Sequence, residues 1–484
     1  MAFLQNIFRK LVRNLLPGNS VEKILKVQIC ESGVMKDAIQ LWWDMYENNP
    51  PWKGGPNKVI PTGLPAMIAT KFMQLILKEF EIEISGSQMA KYLNKQLERD
   101  LTDLSKFVEW YCVGGGIAIK PYVSGVDENG QPTAIKLDFV RSVDFFPCAY
   151  DNERITAAVF MEGQKVGDYL YTRLEYHELS GREYTITNKA FRSEQIYQYD
   201  ADGGYSVNDR FREEVSLKEI PDWAGLSEEP VIIQNIDHPL FVYIKVPMAN
   251  NKDVKSPLGI SVFSRAEDMI EQADRQYGRI LWEYKATETK IMADGTLFDS
   301  DKRGKPILPE GEEGLFRTFD FDQADSGSGY IKEYAPVIRY EAQFEGYEEH
   351  KRQIELSVGL APGTLSRMQN VEKTATEIKS GKQSSYDTVN AMQRAWQRGF
   401  EGLVEAMRTL AVLYEIVPDG KTDLSITWGD GVLEDTEAEY QRRWQMVVSG
   451  KMKVEVFYQW YFGCSEEEAR AMIPGQPEVF PEEE

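Results

Sequence analysis

The chain has 484 residues, of which 42% are hydrophobic and 12% aromatic, enough for the cores of two or three domains. Its 77 acidic and 55 basic side chains give a formal net charge of −22 at pH 7. Tight binding of nucleic acid over a large surface requires basic residues that neutralise phosphates, so the composition excludes that class of protein. It leaves open both a conduit through which DNA slides and an ordinary soluble protein.

Cysteine spacing and hydropathy indicate in which compartment the protein functions. The four cysteines lie far apart, and no pair has the spacing of a metal site or redox motif: Cys30, Cys112, Cys148 and Cys464. Scattered thiols fit a reducing cytosol. No run is long and apolar enough to span a membrane, and Arg9, Lys10 and Arg13 interrupt the N-terminal apolar residues, which argues against a signal peptide.

The first predicted element is a short amphipathic helix over residues 3–16. One face carries its apolar residues: Phe3, Leu4, Ile7, Phe8, Leu11, Leu15 and Leu16. The helix is either a membrane-surface anchor or a helix that docks on its own subunit or a neighbour. We favour docking, because one short helix with few cations anchors poorly.

Helices followed by strands are predicted up to residue 255. The helical patterns cover residues 38–46, 65–78 and 89–111. Gly114, Gly115 and Gly116 then precede a strand without a following Gly-Lys-Ser/Thr, which favours a helix C-cap over a phosphate loop. The predicted strands, separated by turn signals, are 117–123, 135–140, 156–160, 169–177, 183–187 and 196–199. They predict an α+β domain with an antiparallel sheet.

Two helices separated by a β-rich insert follow. The first is predicted from an apolar stripe that ends near Met292: Val262, Phe263, Ala266, Met269, Ile270, Ala273, Tyr277, Ile280, Leu281 and Tyr284. Ser264 and Glu267 have the spacing of a capping box. Apolar bursts at 314–321 and 330–337 predict strands, and helical spacing resumes at Tyr340 and continues to Val358.

A break and a long helix come next. Gly359 to Gly363, which include Pro362, must end the returning helix. Residues 364–373 are polar and without periodicity, which predicts a loop. Thr374 opens a helix with apolar steps of three and four as far as Val417 and a predicted kink at Gly381. Residues 424–428 predict a strand, residues 434–448, 454–460 and 465–472 predict helices, and the tail after Pro474 is acidic.

Enzymatic signatures are weak. The three histidines, His177, His238 and His350, match no catalytic motif. An acidic cluster in the insert fits either a two-metal nuclease or calcium loop, or solvated turns: Asp299, Asp301, Asp320, Asp322 and Asp325. We favour turns, because the EF-hand order is absent and acidic turns are common.

The order of these motifs resembles the portal proteins of tailed bacteriophages, most closely those of long-tailed phages that infect Gram-positive bacteria. The residues that carry the resemblance are PLGIS at 257–261, SVGLAPGT at 357–364, KTATE at 373–377, and YFG at 461–463 followed by SEEEA at 465–469. Their order over most of the chain makes the match specific.

The resemblance implies a portal fold of the α+β class. Its parts would be a wing at 1–255, a first stem helix at 256–292, a β-rich clip at 293–336 and a second stem helix at 337–358. A tunnel loop at 359–373, a long kinked helix at 374–417 and a C-terminal helical crown at 418–484 would complete it. The apolar stripes of the helices exceed what one subunit's stem can cover, so we expect neighbouring subunits to bury part of them.

The resemblance implies that about twelve copies form a closed ring at one capsid vertex. Double-stranded DNA would be packaged and ejected through it, without bond chemistry, cofactor, metal or membrane. The implied partners are terminase, head–tail connector proteins, and major capsid and scaffolding proteins, with assembly in the host cytoplasm. Two alternatives are a metal-dependent DNA-processing enzyme and a structural adaptor of the virion that forms no ring.

Two sets of residues are predicted to act in this function. The tunnel loop would line the DNA channel with Ser366, Arg367, Met368, Gln369, Asn370 and Lys373. The clip would dock partners through Leu315, Phe316, Phe319, Phe321 and Tyr330. The alternatives are an ordinary solvent loop on the outer surface for the first set and a surface excursion without a partner for the second.

Overall fold

The computed structural model describes residues 18–54, 59–126, 132–152, 154–167, 169–194, 197–199, 205–207, 212–294, 297–302, 305–308, 315–319, 331–367, 375–429, 436–462, 469–470 and 472. The predicted helix over residues 3–16 lies outside this part of the chain. The described residues form two compact units that divide between Thr427 and Trp428. Helices are mixed with mostly antiparallel strands, which confirms the predicted α+β class.

The N-terminal helices bury one face each. They are α1 Gly18–Leu25, α2 Gly33–Tyr46, α3 Leu64–Ile76, α4 Gln88–Asp100 and α5 Leu104–Gly114. Ser32 and Ser87 cap α2 and α4 by accepting backbone amides three residues on. The single helix predicted over 89–111 is therefore two helices. Leu97 and Leu104, on either side of the break, are both buried, so the apolar pattern continues through the turn.

Strands make up most of the region after α5, and one further strand, β1, lies between α3 and α4. They are β1 Glu81–Gly86, β2 Gly116–Val126, β3 Pro132–Arg141, β4 Phe145–Tyr150, β5 Ile155–Val166, β6 Tyr169–Ser180, β7 Glu183–Glu194, β8 Tyr197–Tyr199, β9 Tyr205–Val207, β10 Arg212–Val215, β11 Val231–Gln234 and β12 Val242–Lys245. One antiparallel sheet has the order β10-β7-β6-β5-β4, with β11 on the same edge of β7 as β10. A second has the order β12-β2-β3. The predicted strands are present, and β1, β4, β9, β10, β11 and β12 are additional.

The turn from α5 into β2 has the predicted form of a helix C-cap. Gly115 has a φ of +76°, in the left-handed region that favours glycine. A Cβ on Gly115 would lie 2.6 Å from the carbonyl oxygen of Gly259, so two chain segments pass in direct contact here. The close approach fixes the position of residues 259–260, which precede the next helix of the chain.

The central part of the chain contains α6 Glu267–Ala286, β13 Lys290–Asp294, β14 Phe316–Phe319, β15 Ile331–Tyr334, α7 Tyr340–Val358, α8 Ala375–Leu413 and β16 Thr422–Thr427. The first helix was predicted to run to Met292, but it ends at Ala286, and Met292 lies in a strand. The predicted capping box is also wrong. The Ser264 hydroxyl is buried without a hydrogen-bond partner, and Glu267 instead accepts from Trp42 and Lys252.

The long helix α8 packs along the β12-β2-β3 sheet and α5. Gly399 faces the Ile244 side chain closely enough that an added Cβ would lie 2.4 Å from Ile244 Cδ1. The Trp396 ring lies 5.3 Å from that of Tyr111, and both are buried. The apolar stripe from Val389 to Leu410 is thus covered by the subunit itself. The kink at Gly381 stays a prediction.

The end of the chain departs from the predicted boundary at residue 418. β16 pairs antiparallel with β1, so it belongs to the first unit. The second unit contains α9 Thr436–Val448 and α10 Val454–Phe462, which pack through the rings of Tyr440, Trp444, Phe457 and Tyr461. Most of the helix predicted over 465–472 lies outside the described residues.

Candidate functional site

α6 and α7 form an antiparallel pair. Gln276 Nε2 donates to Gln343 Oε1 at 2.7 Å, and the rings of Tyr277 and Tyr347 lie 5.8 Å apart. At the opposite end of α7, the Ser357 hydroxyl donates to the Arg265 carbonyl oxygen at 3.2 Å. The chain therefore goes out on α6 and returns on α7, with the insert at the far end.

An ion pair joins the two helices where the insert begins and ends. The guanidinium of Arg339 donates to both oxygens of Glu283 at 3.0 Å, which is the bidentate geometry that favours arginine. The hydrogen bond from Arg339 outweighs desolvation and holds the pKa of Glu283 below its usual value. The pair fixes the ends of the insert relative to each other.

The insert contains a three-stranded sheet with β13 in the centre. β14 pairs parallel with β13, and β15 pairs antiparallel with it, so that Ala293 lies opposite Ile331. The strands predicted at 314–321 and 330–337 are present. β13 was missed because the helical spacing of the preceding residues was extended through it.

The predicted docking residues have different placements in the insert. Leu315 and Phe316 are half-buried, and the Phe316 ring packs on Phe298 at 5.6 Å. Phe319 pairs with Asp294 in the backbone ladder, while Phe321 and Tyr330 lie outside the described residues. In the described part of the insert, the exposed apolar side chains are Leu297, Ile307, Ile331 and Tyr334. None of these four was predicted as a docking residue.

A buried carboxylate on α7 organises the loop that follows the helix. Glu355 is fully buried and accepts from the Gly363 amide at 3.0 Å, the Ser366 amide at 2.7 Å, the Ser366 hydroxyl at 2.9 Å and the Leu365 amide. Gly359 ends the helix with a φ of +79°, as predicted. The loop therefore turns back onto the helix that it leaves.

A second carboxylate holds the next residue. Glu348 Oε2 accepts the Arg367 amide at 2.7 Å, and its other oxygen pairs with Lys351 at 2.6 Å. Desolvation, which raises the pKa of Glu348, is outweighed by the hydrogen bonds from Lys351 and the Arg367 amide, so this pKa lies below its usual value. Glu348 and Glu355 thus accept hydrogen bonds from adjacent residues of the loop.

The structure describes two of the predicted channel residues, Ser366 and Arg367, and they differ in exposure. Ser366 was expected to be unburied, but only 8% of it is exposed, because its amide and hydroxyl are used by Glu355. The Arg367 side chain is 79% exposed. Met368, Gln369, Asn370 and Lys373 lie outside the described residues. Ser366 is therefore a structural residue of the loop, and Arg367 is the predicted channel residue that the structure shows at the surface.

Several apolar side chains of the helix pair are exposed. On α6 they are Met269, Leu281, Trp282 and Tyr284, and on α7 they include Tyr340 and Leu356. Trp282 is 68% exposed. The stripe on α8 is buried from Val389 to Leu410, whereas Val412 and Leu413 at the end of that helix are exposed.

A buried ion network joins the two sheets through Lys120 of β2 and Glu175 of β6, and no sequence motif indicated it. Glu175 accepts from Lys120, Arg173 and His177, and His177 also bonds the Tyr184 hydroxyl at 2.7 Å. Burial raises the pKa of Glu175, but the three partners outweigh it and hold this pKa well below its usual value. Burial lowers the pKa of His177. The charges of the network are thus paired with one another.

Within the described residues, no three side chains of His, Cys, Asp or Glu come together as a metal site. Of the acidic cluster in the insert, only Asp299 and Asp301 are described, and the Asp301 carboxylate accepts the Lys305 amide in a turn. Among the described helices, none combines the length and hydropathy needed to cross a membrane.

The described arrangement is a helix pair that carries a β-rich insert at its far end, followed by a loop held by buried carboxylates and by a long helix. The chain matches the family described as phage portal protein, SPP1 Gp6-like, over residues 36–473, and it belongs to that family. Membership makes it a phage portal protein and a component of the virion. No curated protein matches the chain.

Proposed function

We propose that copies of this chain form a closed ring at one capsid vertex, through which double-stranded DNA is packaged and later ejected. The observation that carries the proposal is the group of exposed apolar side chains of the helix pair, which includes Leu281, Trp282 and Tyr284 near the end of α6. Large apolar side chains that cluster at the surface mark interaction sites. Head-to-tail contacts between identical subunits close into rings when the rotation between them allows it.

The loop after α7 lines the channel of this ring. Arg367 is exposed at the end of its described part, and Lys373 is the next basic residue of the loop in the sequence. Both side chains would meet phosphates, and each such contact is weak and screened by salt. Against a net charge of −22, a few cations per subunit would guide the duplex without holding it.

The insert docks the packaging and tail partners of the portal. It lies at the far end of the helix pair, where the bidentate Arg339–Glu283 contact fixes its ends. Its exposed apolar side chains, Ile331 and Tyr334 among them, offer contact area to terminase during packaging and to connector proteins afterwards. Capsid and scaffolding proteins are the partners proposed for the rest of the ring.

Imaging of the purified protein tests ring formation. We expect negative-stain micrographs to show closed rings of uniform diameter. The subunit count should stay constant when the protein is diluted, as sedimentation would show. A folded monomer that persists at high concentration would contradict the proposal. A metal-dependent DNA cleavage assay on the same sample tests the enzymatic alternative.

Replacement of the insert tests its docking role. Because Ala293 lies opposite Ile331, residues 295–330 can be replaced by a short Gly/Ser turn that keeps β13 and β15 paired. We expect this variant to form rings but to support no packaging. The matched control is Lys302→Ser, which changes one exposed polar side chain of the insert and keeps the sheet. Normal packaging by the replaced variant would remove the docking role.

A further inference from the structure

The root of the loop, residues 359–367, has contacts that bear on how the channel is controlled. Glu355 is fully buried, and within the described residues it forms no ion pair. Four donors from Gly363, Leu365 and Ser366 satisfy its oxygens instead. A buried carboxylate without a cation requires such donors, because an unsatisfied charge away from water is costly. The helix therefore cannot keep Glu355 buried unless the loop root stays in this conformation.

Glu348 extends the same arrangement. It lies seven residues before Glu355, which is about two helical turns or roughly 10 Å along α7. The adjacent amides of Ser366 and Arg367 donate to Glu355 and Glu348, respectively, each at 2.7 Å. The two carboxylates therefore reach toward the same point of the loop from different turns of the helix. Two separated attachments fix both the position and the direction of the chain at Arg367.

The contact of the loop root with α8 is of a different kind. A Cβ on Gly359 would lie 2.9 Å from the Thr388 Oγ1, so the two segments touch there through a glycine. Leu360 and Leu365 are buried. These are packing contacts, whereas the amides of Gly363, Leu365, Ser366 and Arg367 donate to carboxylates of α7. The direction in which the chain leaves Arg367 is thus set by α7.

We propose that Glu355 and Glu348 are positioning residues that strap the loop root to α7, so that a displacement of α7 carries the start of the channel-lining segment with it. The inference rests on the proposed channel role of the loop. It adds that the second stem helix, rather than α8, determines where the segment after Arg367 begins. A partner that moves the insert, to which α7 is directly joined, would act on the loop through this strap.

Hydrogen exchange of the intact assembled protein tests the strap. We expect Glu355→Gln to speed amide exchange at Leu365 and Ser366 by at least about tenfold, equivalent to about 1.4 kcal/mol of lost protection. The amide group of Gln has the shape of the carboxylate but presents donors to donors. Glu348→Gln should affect the Arg367 amide. The matched control is Glu349→Gln, whose carboxylate contacts Arg352 and Gln353 and should change none of these amides.

A milder variant covers the case in which Glu355→Gln does not fold. Ser366→Ala removes only the hydroxyl contact at 2.9 Å and should speed exchange at residues 365–366 by a smaller factor. Unchanged protection in both Glu355→Gln and Ser366→Ala would overturn the strap. Faster exchange in Glu355→Gln or Ser366→Ala, together with unchanged protection in the Glu349→Gln control, supports the strap.

Packaging by the same variants separates this inference from the proposed function. Rings of Glu355→Gln should package DNA severalfold less well than wild-type rings, and Glu349→Gln rings should match the wild type. Faster exchange with normal packaging would overturn the positioning role and leave the portal ring intact. If wild-type rings support no packaging, the proposed function fails, and the exchange comparison alone still decides whether the carboxylates hold the loop.

Discussion

Asp274 of α6 accepts both the amide and the hydroxyl of Thr62, at 2.8 and 2.7 Å. It also accepts the indole N–H of Trp52 at 2.9 Å, and it is only 2% exposed. A single carboxylate thus joins the segment before α3 to the middle of the helix pair. This contact fixes how the N-terminal helices meet the helix pair, which no local motif in either segment indicates.

The first prediction concerns this contact. Asp274→Ala leaves three donors without a partner, so we expect the free energy of unfolding to fall by about 3 kcal/mol. Urea denaturation followed by tryptophan fluorescence measures it. The control is Asp268→Ala, an exposed aspartate on the same helix, which should change stability by no more than about 0.5 kcal/mol. Equal effects of the two substitutions would mean that the buried contact contributes little.

The second prediction concerns Gly115. An alanine there would need a left-handed φ, and its Cβ would lie 2.6 Å from backbone atoms of Gly259 and Ile260. Backbone atoms cannot move aside as a flexible side chain can, so we expect Gly115→Ala to destabilise the fold by at least about 3 kcal/mol. Gly225→Ala is the control, since an added Cβ meets nothing within 4 Å there. A thermal melt of both variants checks the difference, and a melting temperature of Gly115→Ala near that of the wild type would contradict it.

The third prediction concerns acid. The pKa values of Glu175 and His177 are both depressed in the fold. A depressed pKa stabilises the fold above the unfolded pKa, and this contribution is lost as the pH falls toward the folded one. Unfolded His and Glu titrate near about 6.5 and about 4.3, so the free energy of unfolding should decline first below pH 6.5 and further below pH 4.3.

Denaturation curves at pH 7.5, 5.5 and 4 measure this decline. His177→Gln keeps a donor toward Glu175 and an acceptor toward the Tyr184 hydroxyl but cannot take up a proton, so it should reduce the loss between pH 7.5 and 5.5. The control is His350→Gln on α7, away from Glu175, Lys120 and Arg173, which should keep the wild-type loss. A loss between pH 7.5 and 5.5 that is the same in His177→Gln and wild type would contradict the assignment.

The fourth prediction concerns the exposed apolar side chains of the helix pair. Trp282→Glu places a charge at a side chain that is exposed in the single subunit, so the fold should be unaffected, while a contact between subunits would be lost. We expect normal circular dichroism with monomers in place of rings in sedimentation velocity. Val254→Glu, at a residue that is 87% exposed outside the helix pair, is the control for the added charge. Rings of normal size in Trp282→Glu would place the interface elsewhere.

Periodic patterns predicted well where one element buries one face, and less well where tertiary contacts decide. α7 was predicted with its observed ends, because Tyr340 and Gly359 carry a clear start of spacing and a left-handed cap. β13 was missed because Lys290–Asp294 continues the helical spacing of α6, and only its pairing with β14 and β15 makes it a strand. The buried network of Glu175 depends on residues from different strands, which a local motif cannot show.

In the candidate site, too, local patterns predicted the structure and tertiary contacts could not be predicted. The break after Val358 and the polar character of residues 364–367 predicted a loop, and a loop is present. The burial of Ser366 could not be predicted, because it depends on Glu355, eleven residues earlier, which looks in sequence like one more charged residue of a helix. A charged residue on the apolar side of a helix, between Ile354 and Val358, was the available signal.

The last prediction concerns the segment that begins at Met368. If the loop lines the channel, this residue follows directly on the exposed Arg367 and lies where packaged DNA passes. A Met368→Cys variant, in a chain whose own cysteines are replaced by serine, should react with a small maleimide in empty rings. Packaged DNA should slow that reaction, because the duplex fills the channel and excludes the reagent. Lys218→Cys, at an exposed residue outside the helix pair and the loop, is the control and should react equally in empty and filled particles. Slower labelling that is confined to Met368→Cys places the loop against DNA. Equal labelling of both positions in empty and filled particles would place it on the outer surface and remove the channel role.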